Sequence, residues 1–468
     1  MRIQEILQIG IYYLIVGAVA VCIALGLGYG IIYRKLMKGS KRLTVKQLIL
    51  AAAFMIYVVV VLGVTLVRGQ EVYGGLVNFH IFRSYREAWN NFSYAEWRNI
   101  ILNILLFVPL GFLLPWLFYK ARKWWIVYLI CIGTSVVIEF LQMITRRGVF
   151  DLDDIMNNTL GGMIGYGLLV LFMRIRDKVR RQHLSGKQKQ VLIYCQIPLV
   201  VAVIGFSTIF IVYQAKELGN LSSTYLNRQD MSGLKVSSVA EMNQEAGTAE
   251  IYQAVIGTKE DMLNTAEEVF AVVGVKVEPS NQIVYDDVTV YYSKDNAQTV
   301  WVYSKGLRTW FTDANVDGED RKGGLTFDEV RQILAAYLVE VPEEAEFTDE
   351  GGGYYTMIVD MVEADGNMLD GICTVNIGEN NEVSNITNDI ITYQKYKKVE
   401  IISEQEAYEQ LLDGKFNGYY DEDISEIEVV QVKSSYELDS KGFYQPVYKF
   451  MLDDREESII IIPALRKF

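Results

Sequence analysis

The sequence predicts an all-α six-helix transmembrane bundle followed by an α+β extracytoplasmic domain built from helix plus antiparallel-sheet modules. Three observations predict it. Six long apolar stretches are confined to the first 213 residues, the net charge reverses after them, and short alternating Tyr/Val/Ile runs follow helix-start signatures in the remainder. The chain has 468 residues, 44 of them basic and 57 acidic. Residues 1–213 hold 23 basic and 9 acidic residues, a net of +14, and the rest hold 21 and 48, a net of −27. A contrast this large places the two parts in different environments.

A hydrocarbon core about 30 Å thick needs roughly 20 apolar residues in a helix. Six stretches meet that length: Ile9–Tyr33, Leu48–Val67, Ile100–Tyr119, Trp124–Met143, Ile155–Met173 and Val191–Tyr213. The first is too long for a signal peptide and lacks a small-residue cleavage site, so it reads as an anchor. Only Lys120, Ala121, Arg122 and Lys123 separate the third and fourth, which makes a tight hairpin.

Orientation follows from the short loops. Segment 34–46 carries Arg34, Lys35, Lys38, Lys41, Arg42 and Lys46, the 120–123 turn carries three basic residues, and segment 174–189 carries seven. The positive-inside rule places these loops in the cytoplasm, with both termini extracytoplasmic. The divisions expected are 1–47, a first helix with a basic loop; 48–173, the central transmembrane domain; 174–213, a basic loop and sixth helix; and 214–468, the acidic extracytoplasmic domain. Cys22, Cys131 and Cys195 fall in spans as small apolar fillers. Cys373 is alone in the outer domain and cannot staple it.

That topology gathers polar side chains at one level. Asn99 and Asn103 are four apart near the start of span three and share a helical face. Glu139 and Gln142 end span four, and Arg146 and Arg147 lie in the loop behind them. Asp151, Asp153, Asp154, Asn157 and Asn158 open span five. All converge at the outer leaflet, with Arg146 or Arg147 the expected partner of Glu139. Ionisable groups inside a membrane are costly and mark functional sites by default. The competing reading is a buried polar network that only holds three helices in register. Asp154, Asn158, Gly161 and Gly165 also form one face, and glycines at that spacing let another helix approach closely. Pro109 and Pro115 in span three predict a kink.

These residues carry a resemblance. Asn99, Asn103, Phe107, Pro109 and Gly111, then Glu139-x-x-Gln142, then Arg147-Gly-Val-Phe-Asp151, Asp154 and Asn158-x-x-Gly161 resemble the VanZ-like membrane proteins across roughly Leu48–Met173, with Asn78-Phe79 ahead of span three. The resemblance implies a bacterial cytoplasmic-membrane protein. It also implies a link to low-level teicoplanin resistance or to lipoglycopeptide tolerance, with no mechanism established for the family.

In the acidic part, residues 214–230 read as a linker. Thr258-x-x-Asp261, Thr326-x-x-Glu329 and Ser403-x-x-Glu406 read as helix starts, the last two as capping boxes. Alternating runs at Ile283–Tyr292, Tyr354–Val362, Ile427–Val432 and Ser458–Ile462 read as strands. A weak repeat of helix-plus-antiparallel-strand modules follows. Ser403–Phe416, Gly442–Phe450 and Pro463-Ala464 resemble PepSY-type and YycI-type extracytoplasmic modules, which implies an envelope protein partner.

Asp313-Ala-Asn315-Val-Asp317-Gly318 opens like a calcium loop, but the twelfth position is Gly324 rather than an acid. The missing bidentate ligand favours a polar turn before a helix, and no cofactor or metal is expected. Only His80 and His183 occur, and there is no GxSxG, HExxH or Walker loop. The acidic domain excludes nucleic acid as a partner. Three readings stand. A binding or shielding protein would engage an outer-leaflet envelope lipid or glycopeptide through Asn99, Asn103, Glu139, Gln142, Arg147, Asp151, Asp153, Asp154 and Asn158. An enzyme on a lipid-linked substrate would use Glu139 and the Asp residues as acid, base or cation ligands. A regulator would sense through its outer domain. The first is preferred, and catalytic residues are not assigned.

Overall fold

The structure is a computed structural model that describes residues 12, 15–19, 21, 23, 44–67, 77–179, 186–285, 287–316, 324–364, 366–417, 426–452 and 459–466. The chain divides into two compact units, Met1–Glu217 and Leu218–Phe468.

The first unit is helical. Among the described residues five helices are long and apolar enough to cross a membrane, against the six expected. Most of the first stretch, Ile9–Tyr33, and Cys22 with it, lies outside the described residues. Span two is Val45–Leu62, started by a capping box between Thr44 and Gln47 and continued by a π-helical turn, Gly63–Val67. Span three is Tyr94–Leu117 and runs through both prolines. A 3-10 turn, Tyr119–Arg122, leads to span four, Trp124–Ile144. Spans five and six are Leu152–Val179 and Gly186–Ala215. Ile193, Val201, Ile204 and Ile211 on span six are among many large apolar side chains left exposed. Faces of this kind need hydrocarbon around them, so the unit belongs in a lipid bilayer.

Spans three and five pack backbone to backbone. A Cβ at Gly165 would lie 2.0 Å from the Val108 carbonyl oxygen, so only glycine fits there. Gly161 and Gly165 of the small-residue face read from the sequence are therefore the contact with span three. Two elements escape hydropathy. One is a helix, Arg83–Asn91, whose Ala88 is buried with Trp97, Ile100, Ile104 and Ile164. The other is a two-stranded parallel pair, β1 (Val77–Asn78) with β2 (Phe150–Asp151).

The second unit is α+β with a mainly antiparallel sheet. Its first strands are β3 (Lys235–Ser238), β4 (Gly247–Ala254), β5 (Val277–Val284), β6 (Val288–Ser293), β7 (Gln298–Tyr303) and β8 (Thr309–Asp313). After these come β9 (Glu346–Gly351), β10 (Tyr354–Ala364), β11 (Asn367–Ile377), β12 (Val383–Asn388) and β13 (Ile391–Ile401). The last are β14 (Glu426–Val429), β15 (Gln431–Leu438), β16 (Phe443–Met451) and β17 (Ile459–Pro463). Among the described residues thirteen strands share one sheet, its main path running β15-β16-β4-β13-β11-β12-β8-β7-β6-β5. The pair β14–β3 is separate and parallel.

Helices Lys259–Val272, Phe327–Ala336 and Glu404–Leu412 each begin with a capping box, including Thr258–Asp261. The first two bury Val269, Phe270, Val330 and Leu334 against Val300, Phe311, Met357 and Val375. The third buries Ala407 and Leu411 with Phe450, Ile460 and Ile462 in a second core. Burial pushes the Cys373 thiol up to about 12, as expected of an apolar filler.

Three sequence expectations need correction here. The run Ile283–Tyr292 is two strands, because the chain turns after Val284 before β6 begins. The run Ile427–Val432 likewise divides between β14 and β15. Segment 214–230 is not a free linker. Gly219 donates its amide to Asp439 Oδ2 at 2.7 Å, Leu226 to Asn417 Oδ1 at 2.8 Å, and Gln229 to the Gly414 carbonyl at 2.8 Å. Peptide groups placed against a folded unit take hydrogen-bond partners from it.

Candidate functional site

The site grows from the start of span five. β1 and β2 run parallel, so Asn78 lies opposite Asp151 and donates to its Oδ2 at 3.0 Å. Asp151 Oδ1 accepts the backbone amide of Asp153 at 2.8 Å. The amide of Asp151 itself reaches back to span four and donates to Glu139 Oε2 at 3.2 Å. Glu139 is almost fully buried, at 2% exposure. Its partner is a backbone amide rather than the guanidinium of Arg146 or Arg147, because β2 brings the Asp151 amide over span four while both arginines stay exposed in the turn.

Asp153 has no exposure and faces the helix Arg83–Asn91. Its oxygens accept the amides of Phe82 at 2.6 Å and Ser84 at 2.8 Å. It therefore satisfies free amides at that helix start from another element, as a capping side chain would. Next to it, Tyr85 donates to Asn157 Oδ1 at 2.5 Å. Burial, with Asp153 and Asp154 nearby, pushes the Tyr85 hydroxyl up to about 12, which keeps it a donor.

Asp154 points the other way and accepts from Asn103 Nδ2 of span three at 2.5 Å. Asn158, one turn on, donates to Ser135 Oγ of span four at 2.9 Å in a fully buried contact. Gln142 donates to the Thr65 carbonyl at 3.0 Å, beside the π-helical turn. Arg147 returns its own amide to the Gln142 carbonyl at 2.9 Å.

Of the predicted cluster Arg147 is exposed in the turn, and the other eight residues separate into two sets. Glu139, Gln142, Asp153 and Asn158 face protein groups and tie spans two, four and five to the Arg83–Asn91 helix. Asn99, Asn103, Asp151 and Asp154 line a cleft of about 770 Å³. Ser84, Glu87, Glu96 and Arg98 join them, and of these four the sequence points only to Arg98, beside Asn99 at the start of span three. The only signal for the other three was a polar stretch between spans two and three. The other wall is apolar, with Val60, Val64, Leu102, Leu105 and Pro109. The cleft's polar side carries four carboxylates, two carboxamides, the hydroxyls of Tyr57 and Ser84 and one guanidinium, so carboxylate acceptors and negative charge predominate.

Of the candidate calcium residues, Asp313 and Asn315 are described, and they form a polar turn. Asp313 Oδ1 accepts from Gln298 Nε2 at 3.0 Å and from the Asn315 amide at 2.9 Å. Glu329 is held in its capping box. Asp317 and Gly318 lie outside the described residues, and no group of three or more metal-ligating side chains occurs among the described ones.

Residues 54–173 match the VanZ/LLP1 family model, and that interval contains the whole polar cluster. The chain carries a VanZ-like domain. A curated relative, Protein VanZ from Enterococcus faecium, is 27% identical over 115 residues, 24% of this chain and 66% of that protein. The chain therefore spans just under two thirds of that relative's length. A solved structure of an uncharacterized protein from Eubacterium rectale ATCC 33656 shares 9% identity, with a TM-score of 0.26 over 50% of this chain and 90% of that one. A score so low carries no argument. The family match ends at residue 173, so the PepSY- and YycI-type resemblance of the second unit gains no support from it.

Proposed function

We propose that the VanZ-like domain binds an amphiphilic envelope ligand, a lipid headgroup or a lipoglycopeptide such as teicoplanin, at the outer leaflet of the bacterial cell membrane. In this reading both termini and the second unit are extracytoplasmic. The observation that carries it is the cleft beside Asn103 and Asp154. One wall offers hydrogen-bond acceptors and the other offers aliphatic surface. A ligand with hydroxyl, amide or ammonium donors on a hydrocarbon chain satisfies both. Tolerance would follow from sequestering or shielding that ligand.

A catalytic reading rests on Asp151 and Asp154 lining the same cleft, where one could take and the other give a proton. Glu139 speaks for binding instead, because it is withdrawn from the cleft and occupied by the Asp151 amide. A sensing role would rest on the second unit, which has cores of its own.

The test compares wild type, Asp154→Asn, Asn103→Ala and Glu139→Gln at equal membrane levels, reading teicoplanin susceptibility and surface binding of labelled drug. Binding predicts graded losses, larger at 103 and 154 than at 139. Abolition by Glu139→Gln alone would favour acid–base chemistry. No difference among the four would sink the site. Removing residues 218–468 with full retention of the phenotype would exclude the sensing role.

A further inference from the structure

The same bundle has a second cleft at its opposite end. Span three carries Asn103 near its start and Trp116 near its finish, a rise of roughly 20 Å along one helix axis. Around Trp116 four helix ends meet and enclose about 510 Å³. We propose that this cleft binds the phosphate-bearing headgroup of an anionic membrane lipid.

The lining is strongly one-signed. Lys46 comes from the first turn of span two, Arg122 from the 3-10 turn, and Arg174 and Arg176 from the end of span five. Asp177 is the lining acid, and it is shared by two of them, with Arg176 Nη2 at 3.1 Å and Arg174 Nη1 at 3.6 Å. With Arg122 set aside, Lys46, Arg174 and Arg176 against Asp177 still leave an excess of two positive charges. Such an excess between helices is stabilised by an anion.

Two atoms say what kind of anion. Arg176 Nε and Trp116 Nε1 are shielded from solvent and meet no acceptor among the described residues. Both groups can only donate. A buried donor without a partner is costly, so an occupant that brings acceptor oxygens satisfies both groups. Phosphate oxygens match guanidinium donors in geometry and charge. Lys46 Nζ sits 4.9 Å over the Trp116 ring, which holds a cation at the rim of the cleft.

The remaining wall is hydrocarbon. Leu50, Leu169, Val170, Met173 and Val191 continue from the basic residues into the apolar belt of the helices. A free phosphate ion leaves that wall bare, whereas a glycerophospholipid covers it with its acyl chains. A choline headgroup would add a cation to a cationic pocket. The two ends of the domain therefore select opposite chemistries, acceptor-rich at Asp154 and donor-rich at Arg176.

The experiment titrates the full chain in neutral detergent with dioleoyl phosphatidylglycerol, dioleoyl phosphatidylcholine or inorganic phosphate. Melting temperature and native mass spectrometry are the readouts. Phosphatidylglycerol is expected to bind saturably and about tenfold more tightly than phosphatidylcholine. The double variant Lys46→Gln, Arg176→Gln is expected to lose about that tenfold preference while keeping its weak phosphatidylcholine binding. Equal affinity for the two lipids in the wild type, which involves no variant, would overturn the proposal. So would inorganic phosphate that binds as tightly as phosphatidylglycerol, because the site would then take a free ion.

Discussion

Gly161 of span five lies directly against Ile104 of span three, so close that a Cβ on residue 161 would sit 1.9 Å from the Ile104 carbonyl oxygen. The obstruction is backbone, which no rotamer change relieves. Gly161→Ala must therefore push the two helices apart, and with them Asn103 and Asp154. We predict a loss of about 3 kcal/mol, the upper part of the range for overpacking, read as the midpoint of detergent-induced unfolding. Gly133→Ala is the control, since a Cβ there meets nothing within 4 Å. An unchanged midpoint for Gly161→Ala would contradict the packing.

Asp153 and Asp154 are neighbours in sequence with different work. Asp153→Ala removes the acceptor of two backbone amides, those of Phe82 and Ser84. Phe82 also holds a left-handed backbone, φ 64°, which needs such support. The expected cost is about 3 kcal/mol, with faster amide hydrogen exchange across 82–91. Asp154→Asn keeps a carbonyl oxygen for Asn103 and should leave both measurements near wild type. Equal destabilisation by the two variants would refute this division.

The spans were legible because twenty apolar residues have few other uses, and the Gly161/Gly165 face because helical spacing displays it directly. The helix Arg83–Asn91 was not, since nine largely polar residues give no hydropathy signal and its buried face is formed by a few side chains such as Ala88. The site residues were legible as types, but their partners were not. Glu139 finds a backbone amide twelve residues away, and Asp153 reaches amides some seventy residues back. Such backbone partners leave no mark in composition. In the second unit β3, β4, β7, β8, β9, β11, β12, β13 and β16 went unassigned, because polar residues such as Thr, Ser, Asn, Lys and Glu interrupt their apolar alternation.

Asp439 predicts how the chain is held at the start of the second unit. Its carboxylate is 3% exposed and accepts the amides of Gly219, Lys441 and Phe443 and the side chain of Gln445. Asp439→Ala leaves these donors without their acceptor, and a loss of about 3 kcal/mol or more is expected in the unfolding of this unit. Protease cleavage near 219–230 should accelerate with it. Cleavage and stability both at wild-type levels would show that segment 214–230 is a linker after all.

Acid should weaken the second unit through its helix starts. Asp261, Glu329 and Glu406 are each held below the usual carboxylate range, first by the backbone amide of Thr258, Thr326 or Ser403. A folded pKa below the unfolded one means the native state binds protons less readily. The stabilisation is therefore complete above the unfolded range, about 4, and is lost as pH falls through the folded values. We expect the melting temperature of this unit to hold level from about pH 7 to 5 and to drop below about 4. The triple variant Thr258→Ala, Thr326→Ala, Ser403→Ala should melt lower at neutral pH and lose less on acidification, so the two curves converge. Parallel curves across the whole range would show that the capping carboxylates contribute nothing to the acid response.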